Sequence, residues 1–76
     1  KAAKSIEEAI KIADGLNDPL LSGSTRIDMA NVYSDIGRYE EAIDGYKRAI
    51  VILEDAGELR EVARAYNNIG EAYRYS

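Results

Sequence analysis

The chain matches itself at a fixed offset, and that feature limits its fold more than any other. Ala2, Ile6, Ala9, Ile10 and Ala13 are answered forty residues later by Ala42, Tyr46, Ala49, Ile50 and Leu53 (42 − 2 = 53 − 13 = 40). The same offset joins Met29 to Ile69, Ala30 to Gly70 and Tyr33 to Tyr73, and it joins Asn17 to Gly57. Few identities are kept, but the apolar template and the small/large/small order recur. A period of this size is the mark of a solenoid, in which each unit buries its apolar face only against its neighbours.

Within each period the spacing is helical. Apolar residues at i, i+3, i+4 and i+7 run through four stretches, and no segment alternates with period two. The pattern predicts helices near 2–14, 19–36, 40–56 and 59–75. Their stripes are Ala2/Ala3/Ile6/Ala9/Ile10/Ala13, then Met29/Val32/Tyr33/Ile36, then Ala42/Ile43/Tyr46/Ala49/Ile50/Leu53, then Val62/Ala65/Tyr66/Ile69/Ala72/Tyr73. The breaks have chemical causes. Asp18 can accept from orphan amides at a helix start and Pro19 suits the first helical position. Asn17, Gly37 and Gly57 are residues that tolerate the left-handed backbone of a helix end. The turn at Gly37 is so short that its flanking helices should pack antiparallel. Ser22-Gly23-Ser24 reads either as a loose first turn of the second helix or as a loop before it. In such an array Ala42 and Ala49 allow two backbones to approach, and Tyr46 is the knob between them.

Composition removes whole classes of function. The 76 residues hold no His and no Cys, so they offer no imidazole base, no thiolate and no nitrogen–sulfur zinc site. An enzyme is not expected, and neither is a cofactor. A net charge of −4 without a basic cluster argues against nucleic acid and anionic membranes as partners. No apolar run is long enough to span a bilayer, and nothing resembles a signal peptide. A cytoplasmic location is the default expectation. The acids Glu54, Asp55, Glu58 and Glu61 lack calcium-loop spacing and read as a solvated face.

With these stripes in place, the chain resembles the tetratricopeptide repeat. Tyr66-x-x-Ile69-Gly70-x-x-Tyr73 matches the first-helix pattern of that family, and Ala42-x-x-x-Tyr46-x-x-Ala49 the second-helix pattern. Ala2-x-x-x-Ile6-x-x-Ala9 looks like a second helix of a preceding repeat. The period of forty is similar to the long repeats of kinesin light chain and of LGN/Pins-type adaptors. The chain departs from the pattern at Arg26, where a large aromatic is usual, at Ala30 in place of glycine, and at Asp14 and Glu54 in place of a closing proline. The resemblance implies an all-α, right-handed superhelical array of antiparallel helix pairs. It divides the chain into a second helix and linker over 1–22, one complete repeat over 23–62 and a first helix over 63–76, a piece cut from something longer.

In that family the first helices line a concave groove. The resemblance therefore implies a groove built from Ser24, Ile27, Asn31 and Ser34 on one first helix and Arg64, Asn67, Asn68, Glu71 and Arg74 on the next, with Tyr75 beside them. Asn side chains can bracket a peptide backbone with a donor and an acceptor, Arg64 and Arg74 can take a carboxylate, and Ile27 would be an apolar contact. Tyr33, Tyr46, Tyr66 and Tyr73 are expected in the core and Tyr39 at the hairpin. The implied function is a non-enzymatic scaffold that binds a peptide or protein segment. The alternative is a regulatory or sensor segment of a larger signalling protein. Ala3, Ile10, Ile69 and Tyr73 are expected to be exposed at the two ends and to support self-association.

Overall fold

The computed structural model describes residues 8, 10–12, 14, 15 and 17–76. Residues 8, 10–12, 14 and 15 are helical. The rest of the stripe expected over 2–14, apart from Ile10, lies outside the described residues. Three helices of 17 residues follow: α1 (Pro19–Asp35), α2 (Tyr39–Asp55) and α3 (Leu59–Tyr75). Their starts are twenty residues apart (39 − 19 = 59 − 39 = 20), so each half-period is one helix and one turn. Among the described residues there is no strand.

The turns form as their residues dictate. Asp18 caps α1 by accepting at Oδ1 from the Leu21 amide (3.2 Å), Pro19 fills the first position, and Asn17 holds φ 53° before it. After α1, the Gly37 amide donates to Ser34 O (3.1 Å) and the Arg38 amide to Tyr33 O (2.8 Å). After α2, Gly57 donates to Glu54 O (3.0 Å) and Glu58 to Leu53 O (2.9 Å). These are paired Schellman closures, and each needs a residue at positive φ, here 83° and 74°, where glycine has no Cβ to clash. Each closure reverses the chain within three residues, so α2 packs antiparallel between α1 and α3.

Gly23 settles the Ser22-Gly23-Ser24 ambiguity. α1 runs unbroken through it, and a Cβ at Gly23 would lie 2.5 Å from Leu53 Cδ2, 3.0 Å from Cδ1 and closer still to Cγ. Leu53 is fully buried, so the glycine leaves the room that the Leu53 side chain fills against α1. Gly45 makes a second close approach: its Cβ would sit 3.2 Å from Ala30 Cβ and 3.6 Å from Met29 Cε.

The core is Ile27, Ala30 and Tyr33 from α1, Ala42, Tyr46, Ala49, Ile50 and Leu53 from α2, and Val62, Ala65, Ile69 and Ala72 from α3. The α2 stripe is the one expected, with Ile43 at its edge. Elsewhere four corrections are needed. On α1 the buried line runs through Gly23, Ile27, Ala30 and Tyr33, with Met29 half-buried and Ile36 exposed. Ile27, expected as an exposed groove contact, has no accessible surface. On α3, Tyr66 and Tyr73 are each 53% exposed, because Ile69 and Ala72 turn the helix so that both rings sit at its flank. Ile69, expected at an exposed end, is buried; Ile10 is half-buried, and Ala3 lies outside the described residues.

Candidate functional site

The two first helices, α1 and α3, meet over the top of α2. Tyr46 rises from the core of α2 and donates its hydroxyl to Asn31 Oδ1. The same oxygen accepts from Asn68 Nδ2 at 3.2 Å. One carbonyl therefore ties all three helices together. Burial pushes the Tyr46 phenol up, and the carboxylates of Asp35 and Glu71 push it further against the opposing charge of Arg64. The phenol thus stays protonated and keeps donating. Asn31 Nδ2 and Asn68 Oδ1 have no hydrogen-bond partner among the described residues.

Arg64 lies beside this pin. Its guanidinium makes a two-pronged pair with Glu61 (Nε–Oε2 2.9 Å, NH2–Oε1 3.0 Å) and reaches Asp28 of α1 at 3.8 Å. At the hairpin end, Ser34, Asp35, Tyr39, Glu71 and Tyr75 line an open cleft of about 310 Å³. Tyr39 and Tyr75 stack with centroids 6.4 Å apart. Asp35 and Glu71 make no ion pair among the described residues.

On the face that α1 and α3 share, α3 presents Glu61, Arg64, Asn68, Glu71 and Tyr75, and α1 presents Asp28, Asn31 and Asp35. On α3 this line includes Arg64, Asn68 and Glu71 of the expected set, with Tyr75 beside them; on α1 it includes Asn31, while Asp28 and Asp35 stand one position after Ile27 and Ser34. Ser24 and Ser34 are half-buried on α1, and the Ser24 hydroxyl donates back to Leu21 O (3.3 Å). Asn67 and Arg74 are exposed, and no described hydrogen bond or ion pair joins either to α1. A shift of one residue turns a side chain by about 100° around a helix. On α1 it puts Ile27 in the core and Asp28 on the shared face, while on α3 Asn68, one of the expected residues, makes the contact with α1 and Asn67 does not. Arg64 also differs from expectation, since acids of its own protein already hold its charge. Asp28 and Asp35 were legible as i−3 and i+4 neighbours of Asn31 once the buried line of α1 is known.

The departures at positions 14 and 26 explain each other. Arg26 donates to Asp14 through NH1 to Oδ1 and NH2 to Oδ2, both 2.9 Å, and Ser22 Oγ donates to Asp14 Oδ1 at 2.5 Å. The Arg26 bonds, then that of Ser22, hold the Asp14 carboxyl well below the usual carboxylate range. This fork fastens the first helical segment to α1, where the next repeat carries Glu54 and Tyr66 instead.

Among the described residues no group of acids, His or Cys could hold a metal ion, and no helix is long and apolar enough to cross a membrane. The chain matches no curated protein and no solved structure. The tetratricopeptide-repeat family model matches residues 21–76, from the first turn of α1 to the last residue. That span includes all three helices, both Schellman turns and the small/large/small stripe of α2, and it covers 56 of the 76 residues (76 − 21 + 1). The chain is therefore an all-α member of the tetratricopeptide-repeat family, whose repeats are protein-interaction scaffolds.

Proposed function

We propose that the face shared by α1 and α3 binds an extended segment of a partner protein. The observation that carries this reading is the Asn31–Asn68 bridge. Tyr46 and Asn68 occupy the Asn31 oxygen, which leaves the Asn31 Nδ2 donor and the Asn68 Oδ1 acceptor unspent on adjacent helices. A peptide unit offers one acceptor and one donor, and side-chain amides held in place by a third group lose little freedom on meeting it. Arg64 stands one turn before Asn68 and Glu71 about one turn after it, and Ser24, Ser34, Asn67 and Arg74 complete the proposed contact set. The unspent charge of the groove is acidic: Arg64 is matched by Glu61 and Asp28, whereas Asp35 and Glu71 are unmatched beside two tyrosine rings. The favoured segment is therefore extended and carries a basic residue toward the hairpin end, where carboxylates and aromatic faces both attract a cation.

The experiment is selection of binders from a displayed random-peptide library, followed by calorimetry on the selected peptide. Basic residues should be enriched in the binders. Asn68→Ala and Asn31→Ala should each weaken binding, by about five- to thirtyfold, typical of a lost hydrogen bond of 1–2 kcal/mol. Arg48→Glu, on the far side of α2, should leave binding unchanged. Binders lost on Arg48→Glu and indifferent to both asparagines would refute the reading.

A further inference from the structure

At the hairpin end of the shared face, the open cleft of about 310 Å³ brings together two carboxylates and two aromatic rings from three helices. Asp35 ends α1, Tyr39 begins α2, and Glu71 and Tyr75 stand one turn apart at the end of α3. The rings of Tyr39 and Tyr75 lie 27° from parallel, with centroids 6.4 Å apart. Asp35 and Glu71 make no ion pair among the described residues. From different helices, both also push up the same Tyr46 phenol. Two anions beside an aromatic pair attract a cation. The cleft is open by its place in the fold: Tyr75 corresponds to Asp35 forty residues earlier, and Asp35 stays exposed with two packed helices after it.

The molecule itself shows which cation suits a tyrosine beside a carboxylate. Arg38 holds its guanidinium carbon 5.0 Å from the ring centroid of Tyr33 while Nε and NH2 both donate to Glu41. At the counterpart ring, Tyr73, the cation is Lys47, which stands 5.9 Å from the centroid and makes no ion pair among the described residues. The difference is one of shape. A planar guanidinium stacks on a ring and keeps its in-plane donors for a carboxylate, whereas an ammonium is a compact, strongly hydrated charge. A trimethylated ammonium has no N–H at all and would leave both carboxylates without a donor. Arg38 is spent on Tyr33 and Glu41, and Arg74 makes no ion pair with Asp35 or Glu71.

The geometry points to an arginine pocket: the cleft takes the guanidinium of one arginine within the partner's extended segment, flat against the Tyr39–Tyr75 pair and with its donors on Asp35 and Glu71. This inference rests on the reading of the shared face as a peptide-binding surface. It deepens that reading by naming the side chain the segment carries and the end of the face where that side chain enters. Lysine is accepted there as a charge only, because it can meet the carboxylates or lie on a ring but lacks the plane that does both.

The probe is the blocked tripeptide acetyl-Gly-Arg-Gly-amide, titrated into the chain and followed by backbone amide NMR shifts. Shifts should centre on residues 35, 39, 71 and 75 and saturate in the roughly millimolar range of a single side-chain contact. The lysine and trimethyl-lysine tripeptides should bind at least about threefold more weakly, and the citrulline form, similar in shape but neutral, should not bind. Tyr75→Leu and Asp35→Asn should each weaken the arginine tripeptide severalfold, and Tyr66→Leu, exposed on another side of α3, should leave it unchanged. A lysine or trimethyl-lysine form as tight as the arginine form overturns the proposal. So does binding of the citrulline form, an absence of shifts at the cleft, or arginine binding indifferent to both Tyr75→Leu and Asp35→Asn. Such a failure, with library binders that still weaken on Asn68→Ala, removes the arginine pocket alone. Binders indifferent to both asparagines remove the reading of the shared face and this inference with it.

Discussion

The same substitution at two mid-helix glycines should act with opposite sign. Gly23→Ala adds a methyl group that lands 2.5 Å from Leu53 Cδ2, 3.0 Å from Cδ1 and nearer still to Cγ. Helix propensity favours alanine by about 0.5–1 kcal/mol. Against this, carbon pairs normally rest at about 3.5–4.0 Å, so the methyl needs more than an ångström of displacement. Leu53 cannot supply it by swinging outward, because it is fully buried on the same stripe as Ala49 and Tyr46. Overpacking of this kind costs about 1–3 kcal/mol, and the number of atoms approached places it in the upper half. The net loss is then about 1–2 kcal/mol, or roughly 4–16 °C in melting temperature for a domain of this size. Gly70→Ala meets nothing within 4 Å. At concentrations too low for association it should gain the propensity term alone, about 0.5–1 kcal/mol. Thermal melts by circular dichroism read both. Leu53→Ala in the Gly23→Ala background should cost less than in the parent, because it removes the atoms that clash. A Gly23→Ala protein that melts at or above the parent would refute the close-approach account of α1 and α2.

Other outcomes follow from the same contacts. Ala49→Leu, at a position with no accessible surface, should destabilise by about 1–3 kcal/mol in urea titration. Tyr46→Phe removes the hydroxyl that orients Asn31 and should cost about 0.5–1.5 kcal/mol while leaving far-UV dichroism unchanged. The Asp14 carboxyl is held below its ordinary value of 3.8, so its contribution is present above that pH and is lost as pH falls below it. Stability measured from pH 6 to about pH 2 should therefore fall less steeply at the acid end for Asp14→Asn than for the parent. Raising pH past 10, the ordinary phenol value, should destabilise the parent more than Tyr46→Phe, because the folded phenol holds its proton longest.

What the sequence determined by itself is the one-dimensional part of the fold. The turn chemistry of Asn17-Asp18-Pro19, Gly37 and Gly57 is local, so it placed three helices to within about a residue. The forty-residue echo identified a repeat, because a solenoid reuses one packing solution along the chain. The α2 stripe was legible because α2 is covered on both sides, so Ala42, Tyr46, Ala49, Ile50 and Leu53 are all buried at helical spacing. The rotation of α1 and α3 was decided only in three dimensions. Several large apolar residues of α1, among them Leu20 and Leu21, are exposed, and its packing runs through Gly23, Ala30 and Ile27. These are buried because Leu53 and Gly45 come close, which no periodicity records. That rotation placed Ile27 in the core, set Asn68 rather than Asn67 against Asn31, and paired Arg64 with Glu61 and Asp28. The partnership of Asp14 with Arg26, and of Asn31 with Tyr46 and Asn68, likewise spans twelve to 37 residues. Sequence spacing can show which side chains share a helix face, but only the packed helices decide which donors and acceptors are already spent.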